Sequence, residues 1–268
     1  MGNQPGKPLS DDYSSVTEVP GGPATKEQLR RLHNRYRVAL EYSAGRRVLE
    51  VACGAGMGLG YLAKAADFVV GGDYTERLLC LAKEHYGDRM PLVRLDAQNL
   101  PFRGSAFDLV VIFEALYYLP NASSFVGEAY RVLAPGGMLV IGTVNKDAPG
   151  FVPSPFSTRY FSVPELCDLV VQKGFEQPCF FASFPIGKRG LRDWVLSVLR
   201  EAAVRLRLIP NTLEGRARLK RLFYGSLLKL PAEVHDGMVD EPASVEPIPG
   251  EVPDRGHQIV FCIARRGG

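Results

Sequence analysis

The run Arg47-Val48-Leu49-Glu50-Val51-Ala52-Cys53-Gly54-Ala55-Gly56-Met57-Gly58 most narrows what this chain can become. It reads as a short apolar strand carrying one acid, broken by a glycine-rich turn. A helix follows over Met57–Ala66, with Leu59, Tyr61, Leu62 and Ala65 at helical spacing. Glycines let a backbone approach a ligand closely and take angles that other residues avoid. A strand, a glycine turn and a helix N-terminus in succession make a pocket for part of a nucleotide or nucleoside.

From about residue 46 to 185, strand-like and helix-like runs alternate, which predicts a mostly parallel sheet covered by helices. The strands are expected at Arg47–Ala52, Phe68–Gly72, Pro91–Leu95, Phe107–Phe113, Met138–Val144 and Cys179–Phe184, with a last apolar strand at Gln258–Ala264. Further helices are expected at Thr75–Tyr86, at Ser123–Leu133 and after Ser162, where Ser-Val-Pro-Glu supplies a cap and an early proline. An additional helix is expected from about Thr25 to Leu40, behind a polar leader.

At 268 residues and 46% apolar composition, the chain has enough material for one large α/β core with an attached lobe. A net charge of +3 is too small to imply a nucleic-acid partner. No stretch of 18 uninterrupted apolar residues suggests a membrane span, and the default expectation is a cytoplasmic protein. The five cysteines form no Cys-x-x-Cys pair and the four histidines lack ligand spacing, so neither a metal centre nor a disulfide framework is expected.

Four strand ends carry the chemistry. Glu50 and the Gly54–Gly58 turn belong to the first. Asp73 ends the second, 23 positions after Glu50, where a carboxylate can accept hydrogen bonds from both hydroxyls of a ribose. Asp96-Ala97 ends the third and can read the polar edge of a base. The fourth ends in Glu114-Ala115-Leu116-Tyr117-Tyr118. All four project from the carboxyl ends of parallel strands, where open α/β sheets bind ligands.

Together with Arg131-Val132-Leu133-Ala134-Pro135-Gly136-Gly137, these motifs resemble the class I S-adenosylmethionine-dependent methyltransferases of the small-molecule, methyltransferase type 11-like kind, over residues 45 to 145. The resemblance implies a Rossmann-like, seven-stranded doubly wound α/β sheet with an antiparallel last strand, plus a helical insert, and S-adenosyl-L-methionine as cofactor. It implies that Glu50 lies near the methionine amino group, that Gly54 and Gly56 form the turn the cofactor approaches, and that Asp73 holds the ribose with Tyr74 against the adenine face. Asp96 and Ala97 correspond to the adenine-edge positions, and Glu114 lies toward the methionine end and the acceptor. Ala52 departs from the resemblance, standing where glycine is common. Glu114, Tyr117 and Tyr118 are the candidates for the acceptor side, and no catalytic base is named. Tyr160 is read either as a cover over the acceptor pocket or as a loop anchor, and Cys53 as a small buried residue.

The expected organisation is an N-terminal leader and helix (1–40), a methyltransferase core (41–185 with 256–266), and a helical insert with an acidic proline-rich loop (186–255). From Ile186 to Leu230 there are eleven Lys or Arg against three acids. That stretch reads as a solvated helical face, a lid over an anionic acceptor, or a contact with an anionic membrane surface. The insert is expected over the carboxyl edge of the sheet. Methyl transfer to a small or medium-sized acceptor is the leading function, with oxygen as the first choice of accepting atom and a sugar or glycan precursor as one acceptor class. Two alternatives remain: an NAD(P)-dependent oxidoreductase using Gly58-Leu59-Gly60-Tyr61-Leu62-Ala63, and a non-catalytic module that only binds S-adenosylmethionine.

Overall fold

The computed structural model describes residues 12–187 and 227–268. The basic stretch expected from Ile186 to Leu230 falls almost wholly at 188–226, outside the described residues, as does the expected position of the insert.

Five parallel strands build the ligand-facing half of the sheet: β2 (Arg47–Val51), β3 (Phe68–Asp73), β4 (Leu92–Arg94), β5 (Phe107–Phe113) and β6 (Leu133–Val144). β7 (Phe175–Pro185), β9 (Glu246–Ile248) and β10 (His257–Arg266) complete it, in the order β4-β3-β2-β5-β6-β10-β7-β9. β10 runs antiparallel to both β6 and β7, so the antiparallel last strand is present. A separate two-residue pair joins β1 (Pro23–Ala24) to β8 (Leu228–Lys229).

Period-two alternation splits the core into two layers. Val110 and Ile112 of β5 and Val260 and Cys262 of β10 face α4 (Ala122–Val132) and α5 (Val163–Val171). Leu109, Val111, Phe261 and Ile263 face the other way, toward α1 (Lys26–Glu41), α2 (Leu59–Leu62) and α3 (Glu76–Tyr86). Helices on both faces make the sheet doubly wound. Capping boxes start α1 (Thr25 with Gln28) and α5 (Ser162 with Glu165), each satisfying two otherwise orphaned backbone donors.

Four elements differ from expectation. The sheet has eight strands, because β9 forms inside the acidic proline-rich stretch expected to be irregular and pairs antiparallel to β7. Pro247 is tolerated there because β9 is an edge strand. β6 begins at Leu133 rather than Met138, the Ala-Pro-Gly-Gly turn being absorbed as an irregularity in the pairing with β5. β7 begins at Phe175, since β10 pairs with it as far as Arg266. The helix expected over Met57–Ala66 is α-helical only at Leu59–Leu62, because Lys64 and Ala65 donate to carbonyls three residues back and tighten the end.

Candidate active site

β2 ends abruptly. Ala52 takes φ +59° and Gly54 φ +58°, so the chain turns back at once, and Cys53 N donates to Gly72 O of β3 at 3.0 Å. The positive φ explains the preference for glycine at position 52: a side chain there is strained by about 1–2 kcal/mol. Replacing Ala52 with glycine relieves that strain, less the entropy glycine loses on folding, and is expected to raise unfolding stability by up to about 1 kcal/mol, read from the midpoint of denaturant unfolding.

The turn opens into a cavity of about 1020 Å³ at the carboxyl ends of β2–β5. Its wall includes Glu50, Ala52, Gly54, Asp73, Tyr74, Asp96, Ala97, Glu114, Tyr117 and Tyr118, so nearly every residue singled out from the sequence meets here. Gly56 is the exception. With φ +74° it belongs to the turn, but a β-carbon on it would lie 3.0 Å from Ala82 Cβ and 3.2 Å from the Tyr86 ring, so it also makes room for helix packing.

Asp73 is buried. Its Oδ2 accepts from Gly54 N and its Oδ1 from Thr75 N, both at 2.8 Å, which ties the glycine turn to the start of α3. Burial pushes its pKa up, against the pull of those backbone donors. Thr75 is the N-cap of α3 by position, but its hydroxyl accepts from Tyr13 N at 3.2 Å and so anchors the arm that precedes α1. Asp96 is exposed and accepts from Gln98 N at 2.8 Å, in a tight turn bridged to Asn99.

Glu50 is 1% exposed. The Tyr36 hydroxyl donates to its Oε1 at 2.7 Å, while Oε2 is buried with no hydrogen-bond partner among the described residues. Burial raises the carboxyl from its ordinary 4.5 to about 8, with Tyr36 and Arg35 pulling it down and Asp73 adding to the rise. The unfolded state therefore sheds this proton first as pH rises. The stability contributed is fully present below about 4.5 and lost as pH climbs through about 8. Denaturant unfolding across that window should show the decline, and Glu50→Gln should flatten it.

The side of the cavity just past β5 is aromatic. Tyr117 donates to Glu114 Oε2 at 3.0 Å, its ring stacks on Tyr160 at 4.4 Å, and Tyr118 lies 4.6 Å away. Tyr160 itself is a loop anchor: its hydroxyl accepts from Ser154 N at 3.1 Å, and it is outside the cavity wall that Pro155, Phe156 and Ser157 join. Cys53 is buried, which pushes its thiol well up and makes it inert.

The sequence places the N-terminal helix near the carboxyl edge of the sheet but singles out none of its residues, nor those of the arm before it. Tyr13, Thr17, Glu18, Arg31, Arg35 and Tyr36 all line the cavity, with Arg35 paired to Glu18. The signal available was two arginines four apart on the face of α1 that also carries Leu32 and Tyr36, which places cations on an apolar stripe.

The glycine string of the oxidoreductase alternative lies elsewhere. A β-carbon on Gly58 would overlap the Tyr36 ring, and one on Gly60 the Glu233 carboxylate, so both serve packing.

Comparison with known proteins agrees with this geometry. Residues 49–141 match the family described as a methyltransferase domain. A "Probable S-adenosylmethionine-dependent methyltransferase" of Mycolicibacterium smegmatis is 34% identical over 165 residues, covering 59% of this chain and 63% of that protein. A "Phthiotriol/phenolphthiotriol dimycocerosates methyltransferase" of Mycobacterium leprae is 40% identical over 99 residues, 36% of this chain and 37% of the relative. The chain thus spans less than two thirds of the length of either relative. A SAM-dependent methyltransferase structure from Thermotoga maritima superimposes with a TM-score of 0.58 at 18% identity, over 89% of this chain and 92% of that one, a likeness of fold. Residues 49–141 therefore carry a methyltransferase domain, within a chain that has the fold of the class I S-adenosylmethionine-dependent methyltransferases.

Proposed function

We propose that this protein transfers the methyl group of S-adenosylmethionine to a small or medium-sized acceptor, on oxygen. One observation supports this most: a buried carboxylate oxygen without a partner, Glu50 Oε2, in the wall of a cavity that also holds Asp73. A buried carboxyl with one oxygen unpaired is held in its neutral form for want of a counter-charge, and an amino-acid ammonium supplies that charge and pairs the free oxygen. Glu50 would hold that ammonium, Asp73 the ribose hydroxyls, and Tyr74 with Asp96 and Ala97 the base. When bound, the cofactor supplies an electrophilic methyl on sulfur. The protein's part is to align the acceptor, exclude water and take up a proton where one is released.

About 1020 Å³ lies at the upper end of the roughly 300–1,000 Å³ range of small-molecule sites, which suits a nucleoside and a second molecule together. The aromatic acceptor wall suits a flat or hydrocarbon-bearing face, and sugar or glycan precursors remain within that class. The name of the M. leprae relative denotes an alcohol, which favours oxygen as the accepting atom.

Calorimetric titration with S-adenosylmethionine, followed by incubation of the labelled cofactor with host-cell extract, tests the reading. Binding and a labelled product support it. Binding without a product would favour a non-catalytic module, and no binding would end both.

A further inference from the structure

Resting on the methyltransferase reading above, we propose that Glu114 is the catalytic base and that the acceptor presents a hydroxyl to it. Glu114 follows the last residue of β5 and has φ +51°, a left-handed conformation costing a residue with a side chain of order 1–3 kcal/mol. Its N–H donates to Gly142 O at 2.9 Å, so the neighbouring strand β6 holds the strained backbone in place. The side chain lines the cavity beside Tyr117 and Tyr118, on the acceptor side. Tyr117 donates to Oε2 at 3.0 Å, and Oε1 accepts no hydrogen bond among the described residues. One oxygen is thus oriented and the other left for a substrate hydroxyl, the geometry a proton acceptor needs.

The charged groups around it are Arg35 and Arg31, which favour the carboxylate, and Glu18, which opposes it. Burial outweighs them and raises the Glu114 carboxyl, bringing it closer to neutral pH, where a base is most effective. Other candidates fail on position or protonation. Tyr117 is pushed far up by burial and by Glu114, so it stays a donor. Asp96 is exposed and occupied by Gln98, and Glu50 lies at the glycine turn on Tyr36.

In the step, the acceptor O–H bond breaks and its proton passes to Glu114 Oε1. The oxygen's electron pair forms the new O–CH3 bond, and the carbon–sulfur bonding pair remains on sulfur as a neutral thioether. The carboxylate ends neutral as the positive charge on sulfur is discharged, so charge balances. An amine acceptor arriving neutral needs no such base.

The test uses the full chain, S-adenosylmethionine carrying carbon-14 in its methyl group for rates and, in a parallel reaction, carbon-13 for the product's resonance, and host-cell extract as the source of acceptor. The wild type is expected to give a product whose methyl carbon resonates as a methyl on oxygen. Glu114→Gln is expected to lower the transfer rate about 10²–10⁴-fold while its S-adenosylmethionine dissociation constant, by calorimetry, stays within about twofold. Tyr117→Phe keeps the base but removes its donor, so the acidic limb of the kcat/KM profile should move to higher pH. This second variant carries the test if Glu114→Gln melts early. A methyl found on nitrogen or carbon, an undiminished rate in Glu114→Gln, or an unmoved limb in Tyr117→Phe overturns the role of Glu114 and leaves methyl transfer standing. Failure of the wild type to bind cofactor or transfer label overturns both.

Discussion

Replacing Gly58 with alanine is expected to destabilise the protein by about 2–6 kcal/mol and to weaken cofactor binding at the same time. The added β-carbon would sit 1.7 Å from Tyr36 Cε1 and 2.0 Å from its Cζ, far inside any tolerable contact. The backbone angles at Gly58, φ −100° and ψ −12°, suit any residue, so the effect is steric. Tyr36 cannot step aside cheaply. Its ring packs edge-on against Phe113 at 5.4 Å, and its hydroxyl is the hydrogen-bond donor to Glu50 Oε1. Overpacking costs about 1–3 kcal/mol, and stranding the buried carboxyl adds about 1–3 kcal/mol more. Thermal melting should fall by about 5–20 °C. The double variant with Tyr36→Leu should recover part of the stability but not the affinity, because the ring and the β-carbon compete for one space. Unchanged melting in Gly58→Ala would show that α1 does not pack on this turn.

Replacing Asp73 with alanine is expected to weaken S-adenosylmethionine binding by about 1.5–3 kcal/mol, roughly ten- to a hundredfold or more in dissociation constant. Two effects add. The ribose loses a charged acceptor, and the N–H groups of Gly54 and Thr75 lose the oxygens that hold turn and helix together. Asp73→Asn separates them in part: its amide keeps one acceptor and turns a donor toward the other N–H, so it should also bind weakly while preserving the volume. Calorimetry supplies the dissociation constants and thermal melting the structural share. An unchanged dissociation constant in Asp73→Ala would refute the ribose role.

Much of this could be read from residue order. The cores of β2, β3, β5 and β10 follow from apolar runs, and the strand-tip acids follow from where those runs stop. Two kinds of feature could not be read. The strand Glu246–Ile248 has no pattern of its own and exists only because the edge of β7 is free to pair with it. Tyr36 and Arg35 look like ordinary members of an amphipathic helix, and their meaning arises only when α1 is laid across the strand ends beside Glu50. Gly56 shows the opposite case: its φ of +74° makes it part of the turn that its spacing marks, while the place of a β-carbon on it faces Ala82 and Tyr86. Adjacency in sequence marks a turn without saying which of its sides meets a ligand.

Arg35 stabilises the ionised form of both Glu50 and Glu114. One guanidinium thus answers two acids in the wall of one chamber, carried on β2 and just past the end of its paired strand β5. Because electrostatic fields superpose, neutralising either acid leaves the pull of that guanidinium on the other unchanged. The same cation thus serves both carboxyls whichever of them is paired, and the chamber keeps its charge balance at each without any part having to move.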